Sequence, residues 1–308
     1  MITIGGENLI DYVQTDVKDG LPVYTAIPGG SCYNVAIAAA RQGQPVSYAT
    51  PISNDSLGQI LAQRLIDDGV HLSTPRTSAP TSLAVVSVND GQPSYQFYRS
   101  DTADRHITND TLNVAISSET RIFHVGSLAL IDGTDADLWE QRFATLASNN
   151  VITSLDPNAR PVVVKDKDPY VARIMRMMTH ARVLKLSDED LEYLIPDLPL
   201  KAAFERICEH AQADITILTK GADGAVVYAN EEYFDVAATQ ANPLVDTVGA
   251  GDTFMGTLLV ELNKTDLSAA NLRSISKDAL IRIVSRAAKA AALNCQSAGC
   301  NPPYDGDL

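Results

Sequence analysis

The stretch Asp246-Thr247-Val248-Gly249-Ala250-Gly251-Asp252, followed at once by Thr253-Phe254-Met255-Gly256, is the most informative part of the sequence. Two glycines flank one alanine, so the backbone can turn tightly and direct several N–H groups at one point. Apolar residues then recur at helical spacing, which predicts a helix that runs to about Asn263. A small-residue turn that opens into a helix offers free N–H groups and the positive end of a dipole, and this geometry binds anions.

A carboxylate beside an anion cradle is the arrangement that phosphoryl transfer to an alcohol requires. We therefore predict Asp252 as the general base that takes the proton of a hydroxyl group. The N–H groups of Gly249, Ala250 and Gly251 would form the anion hole for the transferred phosphoryl group. The residues alone leave a second interpretation open, in which the stretch is only a loop with an N-cap aspartate.

Two segments carry a family resemblance. Asp246–Asp252 is similar to the C-terminal signature of the PfkB/ribokinase family of sugar kinases, Asp-Thr-x-Gly-Ala-Gly-Asp, and Gly29-Gly30-Ser31-Cys32-Tyr33-Asn34 resembles its N-terminal signature. The resemblance covers nearly the whole chain, roughly residues 1–305. It implies an ATP-dependent sugar kinase with a ribokinase-like α/β fold. That fold has a mainly parallel central sheet, helices on both faces and a small β-sheet lid.

The resemblance also implies a set of sugar-binding residues. These are Asp11, Gly29, Gly30, Asn34, Arg99, Arg105, Arg160 and Asp252. The strings around the three arginines resemble fructokinase-like members, so fructose is the favoured acceptor. Related 2-keto-3-deoxygluconate kinases share Tyr-Arg and Asp-x-Asn-x-Arg strings, in which an arginine can pair with a substrate carboxylate. That sugar acid is therefore the main alternative, with ribose or a non-catalytic sugar-binding role behind it. A lone arginine can also be only a solvated surface charge.

For the nucleotide, the family's Thr-x-Gly-x-x-Gly string matches Thr219, Gly221 and Gly224. The full cofactor-binding set that we predict is Lys185, Ser187, Thr219, Gly221, Gly224, Gly249, Gly251 and Asn294, with Asn294 as a neighbour of the adenine.

Two cation sites are implied as well. The family's Asn-x-x-Glu magnesium motif falls on Ser187-Asp188-Glu189-Asp190, where Ser replaces Asn and Asp replaces Glu. Asp190 and Glu189 would hold Mg²⁺ through water, since Mg²⁺ usually keeps several waters. Asp246 and Thr247 resemble the part of the motif that contacts a monovalent cation, K⁺ being the candidate. Asp246 can equally be a hydrogen-bonded turn aspartate.

Strands alternate with helices from Arg121 onward, which predicts a mainly parallel sheet covered on both faces. Ligands in such sheets collect at the carboxyl ends of the strands. The polar clusters expected there are Gly6-Glu7, Asp156-Asn158, Lys185-Ser187, Thr219-Gly221 and Asp246–Asp252.

The β-rich runs Thr81–Val88 and Ser94–Tyr98 are joined by Asn89-Asp90-Gly91, a hairpin signal. They predict the lid within one kinase domain of residues 1–308, with lid segments at about 12–27 and 80–100. An exposed lid sheet could pair with a second copy, so a homodimer is a hypothesis.

Composition narrows the class of protein. The chain has 308 residues, 45% hydrophobic residues and a formal net charge of −14, which argues against a nucleic-acid or anionic-membrane surface. No secretory signal and no run of about 18 apolar residues is visible. The four cysteines lack paired spacing and local histidines, so we expect buried thiols and a cytoplasmic protein. No Gly-x-Gly-x-x-Gly follows the first strand, which counts against a Rossmann dehydrogenase.

Overall fold

The computed structural model describes residues 1–89 and 92–308 and contains two β-sheets. The strands are β1 Ile2–Ile4, β2 Leu9–Lys18, β3 Leu21–Gly29, β4 Val46–Tyr48, β5 His71–Leu72, β6 Ser82–Asn89, β7 Gln92–Tyr98, β8 Ile122–Gly126, β9 Ile152–Asp156, β10 Val183–Ser187, β11 Ile215–Thr219, β12 Ala225–Ala229 and β13 Glu232–Val236. The Asp90-Gly91 part of the expected hairpin turn lies outside the described residues.

The large sheet has the strand order β13-β12-β11-β10-β9-β8-β1-β4-β5. The pairs from β5 to β11 are parallel, and β12 and β13 continue the sheet as an antiparallel hairpin. Because parallel strands end at the same edge, the polar residues after β1, β9, β10 and β11 meet there. The mainly parallel sheet expected from the sequence is confirmed.

Helices cover both faces of this sheet. They are α1 Ser31–Arg41, α2 Ser56–Asp67, α3 Asn109–Ala115, α4 Gly133–Ser148, α5 Lys167–Met178, α6 Asp188–Leu194, α7 Leu200–Ala211, α8 Ala250–Lys264 and α9 Lys277–Asn294. One core packs α1, α2, α8 and α9 on one face, and a second packs α3 to α7 on the other. Alternate residues of β8 divide between them, with Ile122 in the first core and Phe123 in the second. Among the residues described, no helix combines the length and apolar composition needed to cross a membrane.

The small sheet has the order β3-β2-β6-β7. β2 pairs with β3 in antiparallel fashion and with β6 in parallel fashion, and β6 and β7 form an antiparallel hairpin. Its strands coincide closely with the segments expected at about 12–27 and 80–100. Its role as a lid over a sugar stays a prediction.

Two helices were not expected from the sequence, α3 and α5. The apolar residues of α5 that are buried are Tyr170, Ile174, Met177 and Met178. Their spacing is that of one helix face, so the periodic signal was present although charged residues surround it.

Candidate active site

Asp252 lies in the first turn of α8 and is buried, with 7% of its surface exposed. Its Oδ1 accepts a hydrogen bond from Ser31 Oγ at 2.7 Å, and its Oδ2 accepts one from Asn34 Nδ2 at 2.8 Å. Asn158 Nδ2 lies 3.4 Å from Oδ1 and donates to Ser31 Oγ at 2.8 Å. Two chain segments, α1 and the residues that follow β9, therefore orient one carboxylate.

The packing of α1 against α8 brings these groups together. Both helices contribute to the same hydrophobic core, and Gln42 Nε2, just after α1, donates to Thr257 Oγ1 of α8 at 2.7 Å. Gly30 enters α1 with φ of +115°, where a Cβ would lie 2.7 Å from the carbonyl oxygen of Glu7. A glycine is therefore needed at the point where the chain turns into the site.

Burial raises the pKa of Asp252, and the hydrogen bonds from Asn34 and Ser31 oppose this shift. A raised pKa makes the carboxylate a stronger proton acceptor than an exposed aspartate. This environment suits a general base.

The cradle is predicted at the backbone turn before α8. Gly249 is left-handed, with φ of +74°, and a Cβ there would lie 2.3 Å from Cys300 Sγ. A Cβ on Gly251 would lie 3.6 Å from Lys185 Nζ, so a cationic side chain stands beside the first N–H groups of α8. A helix N-terminus and a lysine at one point form an arrangement that stabilises an anion.

Lys185 is buried and donates to Asp156 Oδ2 at 2.8 Å. Burial alone would lower the pKa of Lys185, but the negative charges of Asp156 and Asp190 raise it, so the side chain stays cationic. Asp156 Oδ1 is buried without a hydrogen-bond partner. Sequence analysis placed Asp156 in a polar cluster but assigned it no role.

A cavity of about 400 Å³ adjoins the cradle. It is lined by the predicted nucleotide residues Thr219, Gly221, Gly224 and Gly251, together with Ala250 and residues of the 237–241 segment and α9. Three of the four α9 residues that line it are alanines, so this wall of the cavity is apolar and has short side chains. This size and polarity are typical of small-molecule sites.

The structure corrects the expected role of Asn294. This residue is fully buried, its Nδ2 donates to the Val248 carbonyl oxygen at 2.8 Å, and its Oδ1 accepts from Asn301 N–H at 2.8 Å. Its amide therefore braces the loop before α8 and does not line the cavity. From the same end of α9, Ala291 and Ala292 line it instead.

Ser187 and Asp190 form a capping box at the start of α6. Asp190 Oδ2 accepts from Ser187 N–H at 2.8 Å, and its Oδ1 accepts from Ala159 N–H at 2.7 Å. Glu189 is exposed. Both oxygens of Asp190 are thus occupied by the protein, which leaves water-mediated contact as the way it could approach Mg²⁺.

Asp246 is bonded in a similar way. Its Oδ1 accepts from Val248 N–H at 3.0 Å and its Oδ2 from Gly299 N–H at 2.8 Å, while the side chain of Thr247 is exposed. Within residues 1–89 and 92–308, no group of three or more His, Cys, Asp or Glu side chains is arranged to hold a metal ion. The two cation sites stay predictions.

At the sugar end, Asp11 of β2 is half-buried, and desolvation raises its pKa to about 6, with the charge of Arg160 opposing the shift. Gly29 lies beside it, because a Cβ there would be 2.3 Å from Asp11 Oδ2. The Arg160 charge also opposes the rise in the pKa of Asp252. The charge of Arg160 thus acts on both Asp11 and Asp252, and a shared sugar site for the three residues stays a prediction.

The structure assigns Arg99 and Arg105 to ion pairs. Arg99 is buried and donates to Asp104 Oδ2 at 3.3 Å and to the Leu128 carbonyl oxygen at 3.2 Å. Arg105 Nη2 lies 2.9 Å from carboxylate oxygens of both Asp132 and Asp135. Both guanidinium groups are thus held by carboxylates of the protein.

Glu7 was noted from the sequence only as part of a polar cluster. It is 1% exposed, and its Oε1 accepts from Ser31 N–H at 2.7 Å. An acidic residue after an apolar strand and two glycines was the available signal.

Comparison with known proteins places this geometry in a family. A model described as pfkB family carbohydrate kinase matches residues 6–306. The chain belongs to this family. A fructokinase of Rhizobium leguminosarum bv. trifolii is 35% identical to this pfkB kinase over 288 residues, 91% of this chain and 85% of the relative.

Solved structures agree. The fructokinase of Xylella fastidiosa with bound ATP superposes with a TM-score of 0.89 at 27% identity, covering 97% of this chain and 93% of that one. The fructokinase of Vibrio cholerae O395 in a form with bound fructose, ADP and calcium ion has a TM-score of 0.80 at 26% identity, with the same coverage. The ribokinase-like fold is confirmed, and the protein is an ATP-dependent carbohydrate kinase.

Proposed function

We propose that this kinase transfers the γ-phosphoryl group of ATP to a hydroxyl group of fructose. The proposal rests on the charges of the predicted sugar-binding residues. Two of the three candidate arginines, Arg99 and Arg105, are paired with carboxylates, whereas the charge of Arg160 acts on both Asp11 and Asp252. A neutral polyol suits acidic acceptors, and a sugar acid would meet repulsion from two carboxylates with a single arginine to offset it.

The names of the relatives support the same substrate. The Rhizobium protein is called a fructokinase, and the Vibrio structure contains fructose and ADP. 2-Keto-3-deoxygluconate remains the alternative acceptor, because Arg160 could pair with its carboxylate.

In the proposed reaction, Asp252 accepts the hydroxyl proton as the sugar oxygen bonds to the γ-phosphorus. The bond from that phosphorus to the β–γ bridging oxygen breaks, and ADP leaves with the electron pair. The N–H groups of Gly249, Ala250 and Gly251, with Lys185 beside them, stabilise the phosphoryl oxygens during transfer. The apolar cavity holds the adenine.

Magnesium fits this site as a hydrated ion brought by ATP. Asp156 Oδ1 is buried and unpartnered, and Asp156, Asp190 and Asp252 outnumber the one buried lysine among them. Mg²⁺ would neutralise phosphate charge, with Asp156 and Asp190 as neighbours through water. K⁺ at Asp246 and Thr247 is the proposed monovalent cation.

The test is ATP turnover with Mg²⁺ against fructose, ribose, 2-keto-3-deoxygluconate and adenosine, with K⁺ or tetramethylammonium as the monovalent salt. We expect kcat/KM for fructose to exceed that for the sugar acid by at least about tenfold, the scale of one lost polar contact. ³¹P and ¹³C NMR of the product identify the phosphorylated hydroxyl group. A preference for the sugar acid would instead identify 2-keto-3-deoxygluconate as the acceptor.

A homodimer through the small sheet is a second proposal. Val17, Leu21 and Val23 are exposed hydrophobic residues of β2 and β3, and contiguous exposed apolar side chains mark interfaces. Light scattering should show a dimer that Leu21→Asp dissociates. Val114→Asp, at an equally exposed valine of α3, is the control. A wild-type monomer at every concentration would refute the dimer.

A further inference from the structure

Glu7 lies directly behind the residue that contacts the proposed base. Its Oε1 accepts from the backbone N–H of Ser31 at 2.7 Å, and Ser31 Oγ donates to Asp252 Oδ1 at 2.7 Å. Glu7 is 1% exposed. It can therefore influence Asp252 through Ser31 while touching neither substrate.

The second oxygen of Glu7 is not used by the fold. Oε2 is buried without a hydrogen-bond partner, and so is Nε of Arg99. The Arg99 charge stabilises the ionised form of Glu7, while Arg99 itself is held by Asp104 and the Leu128 carbonyl oxygen. A buried carboxylate is costly unless a nearby positive charge and hydrogen bonds compensate it.

These groups lie where the small sheet joins the rest of the protein. Glu7 precedes β2, Ser31 follows β3, and Arg99 directly follows β7. The connections of three small-sheet strands thus converge on the buried charges of Glu7 and Arg99, whose fields also involve Asp252.

We propose that Glu7 is a positioning residue for phosphoryl transfer: through Ser31 it orients the Asp252 carboxylate, and its charge sets the basicity of Asp252. This inference rests on the proposed function of Asp252 as the base. A carboxylate accepts a stronger hydrogen bond from Ser31 N–H than a neutral acid does.

The charged and titratable residues around Glu7 come from several elements of the fold. They are Arg99 after β7, Asp104 in the following turn, Asp252 of α8, Cys32 of α1 and Tyr48 of β4. Burial raises the pKa of Glu7 to about 7, the Arg99 charge opposes this, and the charge of Asp252 adds to it. Because the two carboxylates repel each other, an ionised Glu7 also raises the pKa of Asp252.

The first variant is Glu7→Gln, which keeps the shape and an oxygen for Ser31 N–H but removes the charge. We expect kcat to fall by roughly tenfold as a charge-assisted hydrogen bond becomes a neutral one, with KM for both substrates unchanged. The acid limb of the kcat/KM profile should move to lower pH by about one unit. Asp214→Asn is the control. It removes another buried carboxylate, which lies just before β11 and pairs with Arg182, and it should leave the acid limb in place.

A second variant, Arg99→Gln, tests the proposal if Glu7→Gln does not fold. Arg99→Gln removes the cation that favours ionised Glu7. Glu7 then stays neutral up to a higher pH, so the acid limb should move to lower pH, the same direction as in Glu7→Gln. An acid limb that stays at the wild-type position in either variant would overturn the proposal. A raised KM at unchanged kcat in Glu7→Gln would also overturn it, because that pattern indicates substrate contact.

A measurement without turnover separates this inference from the proposed function. Selective ¹³C labelling of aspartate Cγ, with Asp252→Asn to assign the signal, reports the titration of Asp252 directly. A lower pKa of Asp252 in Glu7→Gln supports the inference even if no sugar on the panel is phosphorylated. An identical titration in wild type and variant refutes it even if fructose is a substrate.

Discussion

Ser31 Oγ and Asp252 Oδ1 lie 2.7 Å apart although they are separated by 221 positions in the chain. One residue opens α1 and the other lies in the first turn of α8. The N-terminal and C-terminal signatures therefore meet in a single hydrogen-bonded unit. A carboxylate fixed from two helices keeps one orientation toward an incoming hydroxyl group.

Asp252→Asn tests the base. The amide keeps the shape of the side chain but cannot accept a proton, so we expect turnover to fall roughly 10²–10⁴-fold. ATP binding by calorimetry and the melting temperature should stay close to wild type. Turnover within a few-fold of wild type would remove Asp252 as the base.

Lys185→Met tests the cation beside the cradle. It leaves the buried Asp156 carboxylate without its ion pair, which should lower the free energy of unfolding by about 3–5 kcal/mol. Asp156→Asn in the same chain should restore much of that stability but not ATP turnover, because the missing positive charge acts on the phosphates. Denaturant unfolding and steady-state kinetics measure the two effects. Recovery of turnover in the double variant would show that Lys185 serves only the fold.

The two glycines of the cradle should respond differently to alanine. Gly249→Ala places a Cβ at positive φ and against Cys300 Sγ, so we expect a loss of stability of about 1–3 kcal/mol. Gly251→Ala meets only the end of Lys185 at ordinary contact distance. It should keep the melting temperature and raise KM for ATP. Equal destabilisation by both would contradict the predicted geometry.

The raised pKa of Asp11 predicts that replacing this residue stabilises the protein in a pH-dependent way and weakens sugar binding. Its pKa in the folded protein is raised to about 6 from 3.8. Its contribution to stability is therefore fully present below pH 3.8 and is lost as pH rises through 6. Asp11→Asn should thus stabilise the protein by about 1–3 kcal/mol above pH 6 and not near pH 4. KM for the sugar should rise in this variant, because a strong acceptor is lost.

Melting curves at several pH values with and without sugar check the Asp11 prediction. Asp16→Asn, at an exposed carboxylate of the same strand, is the control for loss of a charge. A stabilisation of Asp11→Asn that is equal at pH 4 and pH 8 would refute it.

Periodicity and strand-end polarity were enough to predict the parallel sheet and the edge where the site lies. The string Asp246–Asp252 predicted the turn into α8, because small residues and the following apolar spacing are local signals. The side-chain contacts between residues far apart in the sequence were not predictable. Arg105 looked like a free cation, but Asp132 and Asp135, which bind it, lie on another element. Ser31 looked like a turn residue, and only the packing of α1 on α8 directs its hydroxyl to Asp252.

Cys300 packs against Gly249, Gly299 N–H binds Asp246, and Asn301 N–H binds Asn294. The cradle thus depends on a segment that the ribosome makes well after α8. A nascent chain could bury both hydrophobic cores around the large sheet before residues 299–301 pack against the turn at Gly249. Phosphoryl transfer should therefore arise only after residues 299–301 have been synthesised, and nucleotide binding should report when this segment has packed against the turn.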